Sequence, residues 1–175
     1  MIVIRDLVFN LAIHKSRWRV WLALLLAPLS FTSTHTLAQG TPAVRVKTVS
    51  VHLLLSPSGD ITEDVLAIKD FGSWNFIPLS KDLPNDQRFN SFLIKVRLAA
   101  DGETYRRGKF GEVELRSKAR KKIVARFPLD SVYFGPEREA VTAFLVRGHV
   151  CEPLVLTVNA DKSRFVREVP FACGE

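Results

Sequence analysis

The stretch VRVKTVSVHLLL, residues 44–55, decides the fold class. It opens with strict alternation of apolar and polar residues and is rich in β-branched side chains, the pattern of a half-buried strand. It stops at Ser56, Pro57, Ser58, Gly59 and Asp60, a turn by composition. Segments of the same kind recur along the chain. Residues 89–98 (FNSFLIKVRL) place Leu93, Lys95 and Arg97 on one side of a pleat and Ile94, Val96 and Leu98 on the other. Residues 64–70, 74–79, 112–115, 123–127, 132–134, 140–151, 155–158 and 165–171 read as further strands. Between them lie turn signals such as Asp101-Gly102 and Gly135-Pro136. The best helical rival is 113–125, whose lysines, arginines and alanines would suit a helix. The pattern predicts an all-β fold. An antiparallel β-sandwich, Ig-like only in that loose architectural sense, or a small barrel satisfies it. The Ig arrangement of a tryptophan between two distant cysteines is absent, since Trp74 precedes both Cys151 and Cys173.

The N-terminus reads as an export signal. Arg5, Lys15, Arg17 and Arg19 form a basic leader, residues 20–31 (VWLALLLAPLSF) are almost wholly apolar, and Thr36 and Ala38 are small residues two apart. This predicts a signal helix with cleavage after Ala38. The apolar run is shorter than the roughly 20 residues a bilayer span needs, so an uncleaved membrane anchor is the weaker alternative. The expected organisation is a signal peptide at 1–38, an exposed leader at 39–43 and a single β domain at 44–175. The destination is the periplasm or the exterior, with no stable membrane span once the leader is removed. The leader also holds one acid, Asp6, so of the formal net charge of +7 about +4 belongs to the mature chain. With 47% hydrophobic and 25% charged residues, the 175-residue chain is neither disordered nor a disulfide-dense miniprotein.

Two cysteines in an exported chain favour one bridge, Cys151 to Cys173. A hairpin centred on Lys162 would set them directly opposite each other. Pro153 and Pro170 would interrupt its ladder on the way. In the chain-entropy model, closing that loop stabilises the fold by roughly 3 kcal/mol.

The densest charge lies between Arg106 and Arg126, where Arg116, Lys118, Arg120 and Lys122 alternate. One extended strand would carry all four on a single face, about 6.6 Å apart per step. Such a row repels itself and asks for an anionic counterpart, here an envelope glycan or lipid head group. No aromatic residue interleaves with the charges of 116–122 to stack on bases, which argues against nucleic acid. The plain alternative is a solvated hairpin whose cations keep an edge strand from pairing with other chains. The second candidate is Trp74, with Phe71 and Phe76 beside it: an aromatic contact if exposed, core if buried, with core favoured.

Catalytic and metal readings are poor. A serine–histidine–carboxylate relay needs His52 or His149. His52 lies among Val51, Leu53, Leu54 and Leu55 and reads as a strand residue, while His149 is two residues from the bridging Cys151. No GxSxG, HExxH, CxxC or glycine-rich phosphate loop is present. The residues therefore predict no catalytic set, metal or cofactor. They point to an exported, non-enzymatic binding module that uses the basic arm or a sheet edge. The alternatives are a structural or assembly subunit of another exported protein and, last, a small hydrolase.

Overall fold

The computed structural model describes residues 41–84, 86–148, 151–161 and 163–172. The expected signal segment 1–38, His149 and Cys173 lie outside the described residues. Among the described residues the chain is all-β, with antiparallel sheets that do not close into a barrel. Strands β1 (Val44–Ser56), β4 (Arg88–Ala100) and β7 (Glu139–Arg147) form one sheet in the order β1-β4-β7. Strands β5 (Thr104–Ser117), β6 (Ile123–Phe134), β8 (Leu154–Ala160) and β9 (Ser163–Val169) form another in the order β6-β5-β8-β9. Two short strands, β2 (Ser73–Trp74) and β3 (Ile77–Pro78), make a small ribbon.

Alternation in the sequence becomes burial in the core. Val51, Leu53 and Leu55 of β1, Phe92, Ile94, Val96 and Leu98 of β4, and Val113 and Leu115 of β5 all turn inward. Leu154, Leu156 and Val158 of β8 complete the same cluster. Each such side chain removed from water contributes about 1.5–3 kcal/mol. Phe171, fully buried beyond β9, packs its ring against Phe71, Phe89 and Phe92 with centroids 6.2, 5.3 and 5.2 Å away. Gly111 lets β5 approach β8: a Cβ there would stand 2.1 Å from the Asn159 carbonyl oxygen.

Several expectations are corrected. Segment 64–70 is a run of turns, because Asp64 Oδ1 accepts from the backbone N–H groups of Val51 and Leu66 and folds the chain against β1. The helical rival 113–125 is strand, turn and strand. The pieces 123–127 and 132–134 are one strand, β6, which continues through Pro128 and a left-handed Ser131 (φ 49°). In the β8–β9 hairpin Ala160 pairs with Ser163 and Leu154 with Val169, so the register runs one residue off a turn centred on Lys162. Its ladder stops between Pro153 and Pro170, as proline's missing N–H demands. Cys151 is exposed and is not a free thiol.

Candidate functional site

The basic row does not lie on one strand. β5 ends at Ser117, and residues 118–122 form the turn into β6. Buried Ser117 organises that turn. Its N–H donates to Lys122 O at 2.8 Å, and its Oγ accepts from Arg120 N at 2.9 Å. Lys121 completes the turn in a left-handed conformation (φ 58°). Arg116 therefore sits at a strand end, while Lys118, Arg120 and Lys122 spread around a loop. Acids meet the cations, Glu114 from the same strand and Glu152 and Glu168 from distant segments. Glu114 takes both Arg116 (2.7 Å) and Arg126, Glu168 takes Lys118 (2.6 Å), and Glu152 takes Arg120 and the Ser117 hydroxyl. Hydrogen bonds from Arg126 and then Arg116 hold the Glu114 carboxyl below the usual carboxylate range, and Arg120 followed by Ser117 does the same for Glu152. Exposed pairs of this kind add little stability, but they satisfy much of the row's charge.

Trp74, for which core was favoured, is 51% exposed. It pairs with Ile77 across a turn whose central residues, Asn75 and Phe76, both have positive φ. That geometry suits a two-residue hairpin. It turns Phe76 onto Phe89, ring centroids 5.9 Å apart, and leaves the indole outside. Phe71 is buried. The aromatic cluster thus splits into two core rings and one surface ring.

A contact that the strand reading of His52 missed is its neighbour Ser50. The two share a face of β1, and Ser50 Oγ lies 2.8 Å from His52 Nε2. His52 Nδ1 lies 2.9 Å from the Thr62 carbonyl oxygen, which can only accept. Nδ1 therefore carries a hydrogen, and in the neutral form of the ring Nε2 is the acceptor for the serine hydroxyl. The pair borders a groove of about 260 Å³ that Lys95, Arg97, Asp64 and Val141 also line. The carboxylate in this groove, Asp64, is engaged by backbone N–H groups and does not orient the imidazole. The i, i+2 spacing was the available signal. Among the described residues, no group of three or more His, Cys, Asp or Glu side chains could hold a metal ion.

The outer strands differ most in how their edges end. Along β1, Val44 N–H donates to Asp161 Oδ2 (2.7 Å), Val46 to Ser163 Oγ (2.8 Å), Val51 to Asp64 Oδ1 (2.8 Å) and Leu53 to Thr62 Oγ1 (2.9 Å). Leu55 N–H donates to the Asp60 carbonyl at 2.8 Å. β6 carries Arg126, Pro128 and Asp130, with register shifts against β5. β9 is short and holds Arg164, Arg167 and Glu168. Each is a recognised way of blunting an edge. β7 has none of them. Its interior, residues 140–146 (AVTAFLV), has no charge, proline or glycine, and its register against β4 is unbroken. Val141 and Leu145 are 52% and 39% exposed. Behind them the half-buried rings of Phe127 on β6 and Phe144 on β7 stack at 5.1 Å.

The β4–β7 ladder shows which β7 groups face outward. Ala100 N donates to Arg138 O (2.9 Å) and Gly148 N to Asn90 O (3.2 Å), so both ends bond through even-numbered residues of the β7 side. Bonded and non-bonded pairs alternate in an antiparallel ladder. Residues 139, 141, 143, 145 and 147 therefore aim N–H and C=O away from β4. No family model matches the chain, and no curated protein is significantly similar to it.

Proposed function

We propose that the chain is exported, sheds residues 1–38, and folds as a two-layer antiparallel β-sandwich stapled by Cys151 and Cys173. In this reading it is a non-enzymatic binding and assembly module of the periplasm or exterior. Its working surface is the open edge of β7, which accepts an extended segment of a protein as an added strand. Main-chain bonds would supply affinity, and the exposed apolar face of Val141 and Leu145 would supply selectivity. The observation that supports this reading is that, among the described residues, β7 is the outer strand whose interior, residues 140–146, is uncharged, unbulged and uncapped. The test is site-specific photo-crosslinking in the intact envelope, with the probe at Ala143 on β7 or at Val166 on β9. Adducts from position 143 that vanish when Leu145→Pro removes an outward N–H are expected. Equal labelling from both positions, or none from 143, overturns the reading.

A second reading keeps the basic turn as a site for an anionic envelope glycan or lipid. It is favoured by Lys121 and Lys122, whose side chains make no ion pair among the described residues. It requires binding to anionic vesicles that weakens steeply above about 0.15 M salt and is lost in Lys121→Gln/Lys122→Gln.

A further inference from the structure

We infer that the strand added to β7 is β7 of a second copy of this chain, paired antiparallel about a two-fold axis at Ala143; this rests on the strand-addition reading above. Three features of the strand carry it.

The outward-facing groups belong to odd-numbered residues, as the β4–β7 ladder dictates. A two-fold axis through Ala143 sets Ala143 opposite itself, Val141 opposite the second copy's Leu145, and Glu139 opposite the second copy's Arg147. Odd-numbered residues then face odd-numbered residues, so outward donors meet outward acceptors along the whole strand. A strand whose outward set was not centred on its midpoint would lose part of that ladder.

The side chains fit the same register. Val141 and Leu145, both exposed in the single chain, would cover each other on one face of the joined sheet. Thr142 would face the second copy's Phe144 on the other face, beside the Phe127–Phe144 stack that now stands half open. Cross-strand pairs of this kind contribute roughly 0.2–1 kcal/mol each.

Charge selects the direction. The ends of β7 carry opposite signs, Glu139 and Arg147. Antiparallel pairing brings each against its opposite, whereas a parallel arrangement would set like charges side by side, which is destabilising. Glu139 is already shared by Lys47 and Arg97, but Arg147 has no ion pair among the described residues. The product is a continuous six-stranded sheet, β1-β4-β7 joined to its symmetry mate. It closes on itself because the interface is isologous.

The experiment is sedimentation equilibrium of the purified chain over a concentration series, with three variants. The unaltered chain is expected to dimerise reversibly. Ala143→Pro removes both hydrogen bonds at the axis and is expected to weaken dimerisation about 30-fold or more. Ala143→Cys is expected to form a crosslinked dimer on mild oxidation. Leu145→Cys faces Val141 and is expected to give none. A chain that stays monomeric to its solubility limit, or a dimer that Ala143→Pro and the cysteine pattern leave unchanged, overturns the second copy as occupant. Should the chain be monomeric while position 143 still crosslinks in the envelope, strand addition survives with a different protein. Should both fail, strand addition falls as well.

Discussion

β1 and β7 flank the same central strand, β4, yet one edge is sealed and the other open. β1 has five outward N–H groups bonded by residues from two other parts of the chain, the 60–64 loop and the β8–β9 turn. Its carbonyls at Val51, Leu53 and Leu55 accept from Val65, Thr62 and Gly59. For β7 no described residue bonds the outward N–H groups of Val141, Ala143 or Leu145. The contrast separates two uses of a polar side chain. Asp64, Thr62, Asp161 and Ser163 serve as substitutes for a missing strand. Where such substitutes are absent, the outward backbone groups are left for another strand to bond.

The sharpest way to break the contrast is to unseal β1. Asp161 accepts both from Val44 N–H and from Arg106, whose side chain is largely buried beside Phe110. Asp161→Ala would leave a backbone donor and a guanidinium without their acceptor. The expected loss is about 2–4 kcal/mol, read as a lower midpoint in urea unfolding. Asp64→Ala frees the Val51 and Leu66 N–H groups but strands no buried guanidinium, and is expected to cost about 1–2 kcal/mol. Both variants should also expose the β1 edge, seen as faster amide exchange at Val44 and Val51 respectively. Unchanged exchange would mean that the caps do not close the edge.

How much of this was legible in the sequence depends on the distance between partners. β1, β4 and β8 could be read because each buries one face and alternates accordingly. The caps could not: Val44 and Asp161 are separated by 117 positions, and nothing in either neighbourhood announces the other. The basic row reads as one strand face for a related reason. Charges at alternate positions mimic a strand face, but Ser117 within the row turns the chain, and Glu152 and Glu168, which pair with Arg120 and Lys118, come from later segments. Trp74 was weighed by residue type, and two left-handed residues beside it set its direction instead. β7 was recognised as a strand within 140–151, but being an outer strand is a property of pairing order, which no local pattern encodes.

Acid sharpens the contrast next. Glu139, at the foot of β7, is held below the usual carboxylate range by hydrogen bonds from Lys47 and then Arg97. A depressed carboxyl stabilises the fold above the unfolded-state value, near 4.3, and loses that contribution as pH falls through its folded-state value. The gap in melting temperature between the unaltered chain and Glu139→Gln is therefore expected to be present at pH 7 and to close toward pH 3. A gap independent of pH would show that the glutamate's charge is not what matters.

The smallest effect on folding is expected at the open edge itself. Val141 is half exposed and points from the outer face of the sheet, so Val141→Lys should move stability by no more than about 0.5 kcal/mol. Its effect on association should be far larger. A lysine placed mid-strand is how β proteins ward off edge pairing, and here it would face a second copy's Leu145 and sit near Lys95 and Arg97 in the same groove. Unfolding and sedimentation measured on one preparation separate the two effects. A stable monomer marks β7 as a surface held open for pairing. Loss of stability in step with loss of association would mean that β7 belongs to the fold in the way β1 does.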